Sequence, residues 1–401
     1  MRKHKSDRII AVLTFVLMAI GLIVIFAIGP QRANFLNSAL GSNEYDTNYF
    51  FIHQLISVAI SIAAFVAAFK FPYEKLRKYS KILVIVGLVL CAILAVLSVV
   101  GSSLAKCELG GCRWFNLGPL GSFQPAELLK LGLVLYLAQL AAKNRAEGTL
   151  EKRQFLVPFA IVSILSMFFV IILQKDLGTG IAIVAIILAI TFMSGIKTKY
   201  FLFILGIVLV GGVLSVVTSP HRMERVFTFS GEGSSDDTYH IDNAKMAIGT
   251  GGLVGVGIGN SVQATGYLPE SINDSVFAVM GETFGFVGLA AIIAIFTVLL
   301  TRTLKVATRL DKERSLVVIG VFAWVAAQMI VNIAAMTGLV PLTGITLPLL
   351  SYGGTSMMFV AFSLGLVLQL SCYTGREVNN ENISSRRGVR GTYYTGRRSG
   401  A

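Results

Sequence analysis

IIAVLTFVLMAIGLIVIFAIG, residues 9–29, holds no charged residue, and its reading decides the fold. A helix that crosses a bilayer needs about 20 predominantly apolar residues. Lipid offers no partner to open backbone groups, so such a run is helical. Basic residues precede it, as in a signal peptide, but the run is too long for a signal core and no small-residue cleavage site follows. It reads as a retained first transmembrane helix. Comparable runs recur at 51–70, 81–101, 125–142, 156–173, 178–195, 200–218, 275–301, 315–338 and 350–372. The chain is 55% hydrophobic and 14% charged over its 401 residues, where soluble domains carry about a quarter charged residues. Barrel strands alternate over about ten residues; these runs are continuous. The expected fold is all-α and polytopic, with about ten transmembrane helices.

The connections alternate between two sides. One set holds 1–8, 71–80, 143–155, 196–199, 302–314 and the tail. The other holds 30–50, 102–124, 174–177, 219–274 and 339–349. About 26 of the 34 Lys and Arg fall in the first set, counting edge residues such as Lys70 and Lys81 there, and about seven in the second. The positive-inside rule makes the first side cytoplasmic, so both termini lie inside. Topology thereby accounts for most of the net charge of +13, and a nucleic-acid partner is set aside. Residues 1–374 form the transmembrane domain. Residues 375–401 form a basic, Gly/Ser/Arg-rich cytoplasmic tail expected to be disordered. The one large extracytoplasmic loop, 219–274, starts polar and turns Gly-rich in AIGTGGLVGVGIGNS at 247–261, which suggests a short helix followed by a re-entrant or interfacial segment. No Gly-Lys-Ser/Thr follows, so this is not a nucleotide P-loop.

Polar groups at membrane depth are costly and invite functional readings. Four segments place them at the outer edge. RWFNLGPLGSFQPAELLKL at 113–131 contains Arg113 and, three residues apart, Glu127 and Lys130, which share a helix face and can pair. A structural ion pair explains the spacing as well as a polar cavity does. In KDLGTG at 175–180, Asp176 can cap the next helix. In NDSVFAVMGETFG at 273–285, Asp274 opens a helix whose dipole would keep it ionised. Glu282 stands about 12 Å further along and about 80° around, too far for a close carboxylate pair, so a single general base is the simpler mechanism. GLVPLTGITLPLLSYGGTS at 338–356 has two prolines and several glycines before and after Ser351. Broken backbone of this kind needs protein cover or a cavity to line. Cys107 and Cys112 share one outer loop and can be bridged or free.

With these motifs quoted, the chain resembles the SEDS family (shape, elongation, division and sporulation), whose members polymerise lipid II on the outer face of the bacterial cytoplasmic membrane. QPAELLKL and TLPLLSYGG look more like the division (FtsW-like) branch than the elongation (RodA-like) branch. The resemblance implies a glycosyltransferase with Asp274 as general base. It implies a cavity drawing on Arg113, Glu127, Lys130, Lys175, Asp176, Glu282 and Ser351, to which Lys245 is added for its charge and side. A divalent cation, Mg or Mn, is expected at the lipid diphosphate. The implied partners are lipid II, undecaprenyl-diphosphate-linked glycan, a class B penicillin-binding protein and other divisome membrane proteins, at the septum. Lys175 stands where the family commonly has Pro, and His240 where Gln commonly follows the loop tyrosine. The competing classes are a lipid II flippase, which needs polar groups on both sides, and a non-catalytic scaffold, which tolerates loss of Asp274.

Overall fold

The computed structural model describes residues 6–41, 43–108, 111–118, 121–217, 219, 222–225 and 235–373. The basic tail from 375 and part of the long loop lie outside these residues. Among them are ten helices long and apolar enough to span a membrane. They are α1 (Arg8–Leu40), α2 (Tyr49–Lys70), α4 (Ser80–Val100), α5 (Pro125–Ala146), α6 (Arg153–Met167, continued by a π-helical turn Phe168–Leu173), α7 (Leu177–Ser194), α8 (Thr198–Val217), α10 (Val276–Ala307), α11 (Lys312–Met336) and α12 (Gly354–Ser371). The short α3 (Tyr73–Lys78) and the helix α9 (Ser235–Thr250) lie in connections.

Helices α5, α11 and α12 form the centre, with 72% of each spanning window buried, whereas α8 has 6% buried and stands at the periphery. Side chains of α8 therefore face lipid on nearly all sides, which its uniformly apolar sequence tolerates. The first helix runs well past the expected 29, to Leu40, and its far end packs on the long loop. There Gln31 donates to the Gly259 carbonyl at 3.2 Å and Arg32 lies 4.0 Å from Glu270.

The two sets of connections collect at opposite ends of the bundle. At one end Arg77 and Arg314 pair with Glu313 and Glu74 at 2.7 and 2.9 Å, Lys197 pairs with Glu151 at 2.7 Å, and Arg302 lies 3.8 Å from Asp7. The other end carries a feature that the all-helical reading did not contain. A three-stranded antiparallel sheet is built from β1 (Ala105–Glu108), β2 (Gly111–Asn116) and β3 (Ser122–Phe123). Cys107 and Cys112 are bridged across β1 and β2.

The Gly-rich run is explained by a break in α10. Gly285 sits at φ 67°, ψ −169°, outside helical geometry. The backbone groups opened there are taken up by the Gly-rich segment. Val256 and Gly257 N–H donate to the Glu282 and Thr283 carbonyls at 2.9 and 3.1 Å, and Phe286 and Val287 N–H to those of Gly252 and Leu253 at 2.9 and 3.1 Å. A Cβ on Gly255 would stand 2.2 Å from the Thr283 oxygen, so the approach excludes any side chain. The loop thus supplies the partners that lipid cannot.

Candidate functional site

Asp274 lies two residues before α10, where three segments are tied together. Asn332 of α11 donates to the Asp274 and Ile345 carbonyls, each at 2.7 Å. The Tyr352 N–H donates to Ile272 at 2.8 Å. Ser275, not Asp274, takes the N-cap position. Its hydroxyl donates to the Pro269 carbonyl at 2.8 Å. Having spent its one proton there, it accepts from His240 Nε2 at 2.7 Å.

The Asp274 carboxylate is therefore not a helix cap, and Oδ1 is buried without a hydrogen bond. Its pKa rises from 3.8 to about 7. Burial is the main cause and the charge of Glu270 the second; a backbone hydrogen bond, Arg225 and Arg113 act against them. This corrects the expectation of a permanently ionised group, because lost hydration outweighs the helix dipole. Glu270 is itself held by Asn273. An Asp274 side chain near pKa 7 is half ionised at neutral pH and suited to take a proton and release it.

Three arginines from two segments, β2 and the 222–225 stretch of the long loop, surround the same place. Arg113 of β2 donates to the Lys175 carbonyl at 3.1 Å. Its Nη1 lies 3.7 Å from the point where a Gly344 Cβ would sit, and Asp274 Oδ2 lies 3.9 Å from that point. Gly344 is at φ 67°, so this bend in the broken 338–353 segment favours glycine twice over, by conformation and by space. Arg225 donates to the Leu342 carbonyl at 2.9 Å. Arg222 donates to Ile171 at 2.5 Å and to Ser215 at 3.0 Å. Burial depresses the Arg222 pKa, and the adjacent charges of Arg113 and Arg225 add to this against Asp176. Like charges held this close favour a polyanion between them. Arg222, Arg225, Asn332 and Glu270 were not singled out by sequence. The signal for the arginines was their place in connections that otherwise hold few cations, and for Asn332 an amide inside an apolar helix.

The other expected residues fall into supporting positions. Lys130 and Glu127 pair at 2.8 Å with side-chain exposures of 0% and 2%. Lys130 Nζ lies 4.5 Å over the Trp324 ring, inside the α5–α11 interface. Asp176 caps α7, accepting from Thr179 N and Oγ1 at 2.9 and 2.8 Å and from Gln124 at 2.9 Å. Lys175 is exposed at φ 53°, a conformation closed to proline. Lys245 is exposed on α9 and lies against Gly338, where an added Cβ would meet Cε at 2.2 Å. Glu282 accepts from Ser261 Oγ at 2.5 Å and from the N–H groups of Val262 and Gln263 at 2.8 and 3.2 Å, so it anchors the end of the Gly-rich segment. Ser351 accepts from Leu347 N–H at 2.8 Å within the broken segment. Of the expected set, Arg113 alone is placed beside Asp274 through the shared Gly344 position.

Comparisons with known proteins bear on the family and the fold. A family model described as "Cell cycle protein" (FtsW, RodA, SpoVE) matches residues 7–376. Stage V sporulation protein E of Bacillus subtilis is 32% identical over 93% of this chain and 99% of its own length. A protein of Nitrosomonas europaea named "Probable peptidoglycan glycosyltransferase FtsW" is 32% identical over 96% of this chain and 95% of its own. Among solved structures, a chain from a peptidoglycan synthase complex that coordinates polymerization and crosslinking superposes with a TM-score of 0.70. It is 24% identical and covers 91% of this chain and 97% of that one.

Proposed function

The chain belongs to the FtsW/RodA/SpoVE family of cell cycle proteins, and from that premise we propose that it is a peptidoglycan glycosyltransferase that polymerises lipid II with Asp274 as its general base. The observation that carries this reading is the buried Asp274 carboxylate, poised near neutrality, beside guanidinium groups. Asp274 takes the proton from the 4-hydroxyl of the acceptor sugar. That oxygen attacks the anomeric carbon of the undecaprenyl-diphosphate-linked strand from the face opposite the leaving group, and configuration inverts. The diphosphate departs with the bonding pair. Arg113, Arg222 and Arg225 balance its charge in a place partly shielded from water, where such interactions are strongest.

Lys130 is sealed in the core, so the diphosphate contacts fall to Arg113, Arg222 and Arg225 rather than to it. Among the described residues, Glu270 is the carboxylate whose charge acts on Asp274, and it is engaged by Asn273 and Arg32; Asp176, near Arg222, is spent on capping α7. That donor set does not build a metal centre from protein ligands, and no step runs through the expected Mg or Mn ion.

The site lies at the end of the bundle that the charge bias places outside. The Cys107–Cys112 bridge at the same end supports that assignment, since disulfides persist in oxidising compartments. On this reading the enzyme works at the outer face of a bacterial cytoplasmic membrane, at the division septum. A class B penicillin-binding protein and other divisome membrane proteins are its partners; the likeness to a chain from a synthase complex that joins polymerization to crosslinking supports this pairing. Purified protein, with its candidate partner, is given fluorescent lipid II in detergent, where no two faces exist. A polymerase makes resolvable glycan strands; absence of product beside an active control polymerase overturns the reading in favour of a flippase or scaffold.

A further inference from the structure

Arg113 occupies an unusual place in its strand. Between β1 and β2, Ala105 pairs with Phe115 and Lys106 with Trp114, but the next pair is Cys107 with Cys112. The register shifts between Lys106 and Cys107, and the β2 residue left without a cross-strand partner is Arg113. A bulge of this type adds one residue to one strand, bends it and re-aims the side chain there. The pair that closes the far side of the bulge is the disulfide itself. Gly111, next beyond it, lies so close to the turn before α7 that a Cβ would stand 2.6 Å from the Gln174 carbonyl. Arg113 reaches the carbonyl of the following residue, Lys175.

We propose that the Cys107–Cys112 disulfide is a positioning device for the reaction: by fixing the bulged register it holds Arg113 against the Lys175 turn and beside Asp274. Were the Lys106–Trp114 register simply continued, Cys107 would face Arg113 and the bulge would vanish. A one-residue slip carries side chains to the opposite face of a strand. The loop closed by the bridge is short, five residues in sequence separation, so its effect on the unfolded chain is at the small end. Its consequence is local, at Arg113. Reduction by a trialkylphosphine yields two thiols and the phosphine oxide, with water supplying the oxygen and both protons, and releases the constraint.

The inference rests on Asp274 being the general base. The charged and titratable groups acting on that carboxylate are Glu270, Arg225 and Arg113, with His240 bonded to the adjoining Ser275. Of these, Arg113 alone belongs to the hairpin. The test records the pH–rate profile of lipid II polymerisation for four forms: oxidised wild type, phosphine-reduced wild type, Cys107→Ser/Cys112→Ser, and Arg113→Gln. Arg113 lowers the Asp274 pKa. Reduction and the double substitution are therefore expected to move the acidic midpoint upward, as Arg113→Gln does, with a several-fold loss of rate below the midpoint. Reduction in the Arg113→Gln background is expected to change nothing further. Reoxidation of the reduced, still monodisperse protein restores the wild-type profile, which separates positioning from misfolding. An unmoved midpoint in folded, fully reduced protein overturns the inference. An active Asp274→Asn protein overturns instead the reading on which it rests.

Discussion

The Asp274 carboxyl combines burial, one carboxylate neighbour and two guanidinium neighbours, and its midpoint near 7 gives a definite pH dependence. The basic form is the ionised one, so turnover rises with pH through the midpoint and falls about tenfold per pH unit well below it. Glu270 raises the midpoint and Arg113 lowers it. Glu270→Gln therefore moves the acidic limb to lower pH and Arg113→Gln to higher pH, read from strand synthesis in a pH series. Opposite shifts, or none, would remove the electrostatic account. Asn332 acts through backbone, holding the Asp274 and Ile345 carbonyls together. Asn332→Leu leaves both buried acceptors short of a donor, at about 1–3 kcal/mol. The expected result is a lowered melting temperature and a turnover reduced about tenfold, with little change in the pH midpoint.

Elements decide which polar residues are structural. Glu282 stands in a helix next to a break and spends its oxygens on the Gly-rich segment. Glu282→Gln is expected to lower stability by about 1.5–3 kcal/mol, the range for hydrogen bonds to a charged group, while the acidic midpoint stays in place. Thermal melting and the pH series together check it. Lys130 and Glu127 form a buried pair, where loss of one partner leaves an unpaired buried charge. Lys130→Met should cost about 3–5 kcal/mol, and adding Glu127→Gln should recover a large part of it. This i, i+3 pairing was readable from sequence because helical spacing alone puts the two on one face. The hairpin was not. Its strands are two to six residues long, one is bulged, and no alternation marks them. Nor did periodicity show that the Gly-rich run would pair with a broken helix, since that contact joins backbone groups of residues about thirty apart whose side chains share no pattern.

For the molecule as a whole, hydropathy located the ten long apolar helices found among the described residues, because lipid demands length and apolarity from each span independently. It could not show where helices leave the membrane, so α1 and α10 run on beyond their apolar cores to Leu40 and Ala307. The site is assembled from connections distant in sequence, which is why Asp274 and Arg113 could be named separately while their meeting at Gly344, and the part of Arg222 and Arg225, needed the fold. The most direct test of the account compares wild type with Asp274→Asn, both folded and bound to the partner, in polymerisation of fluorescent lipid II resolved on a gel. The account predicts glycan strands from wild type and none above background from the variant across the pH range. Strands made by Asp274→Asn at the wild-type rate would contradict it.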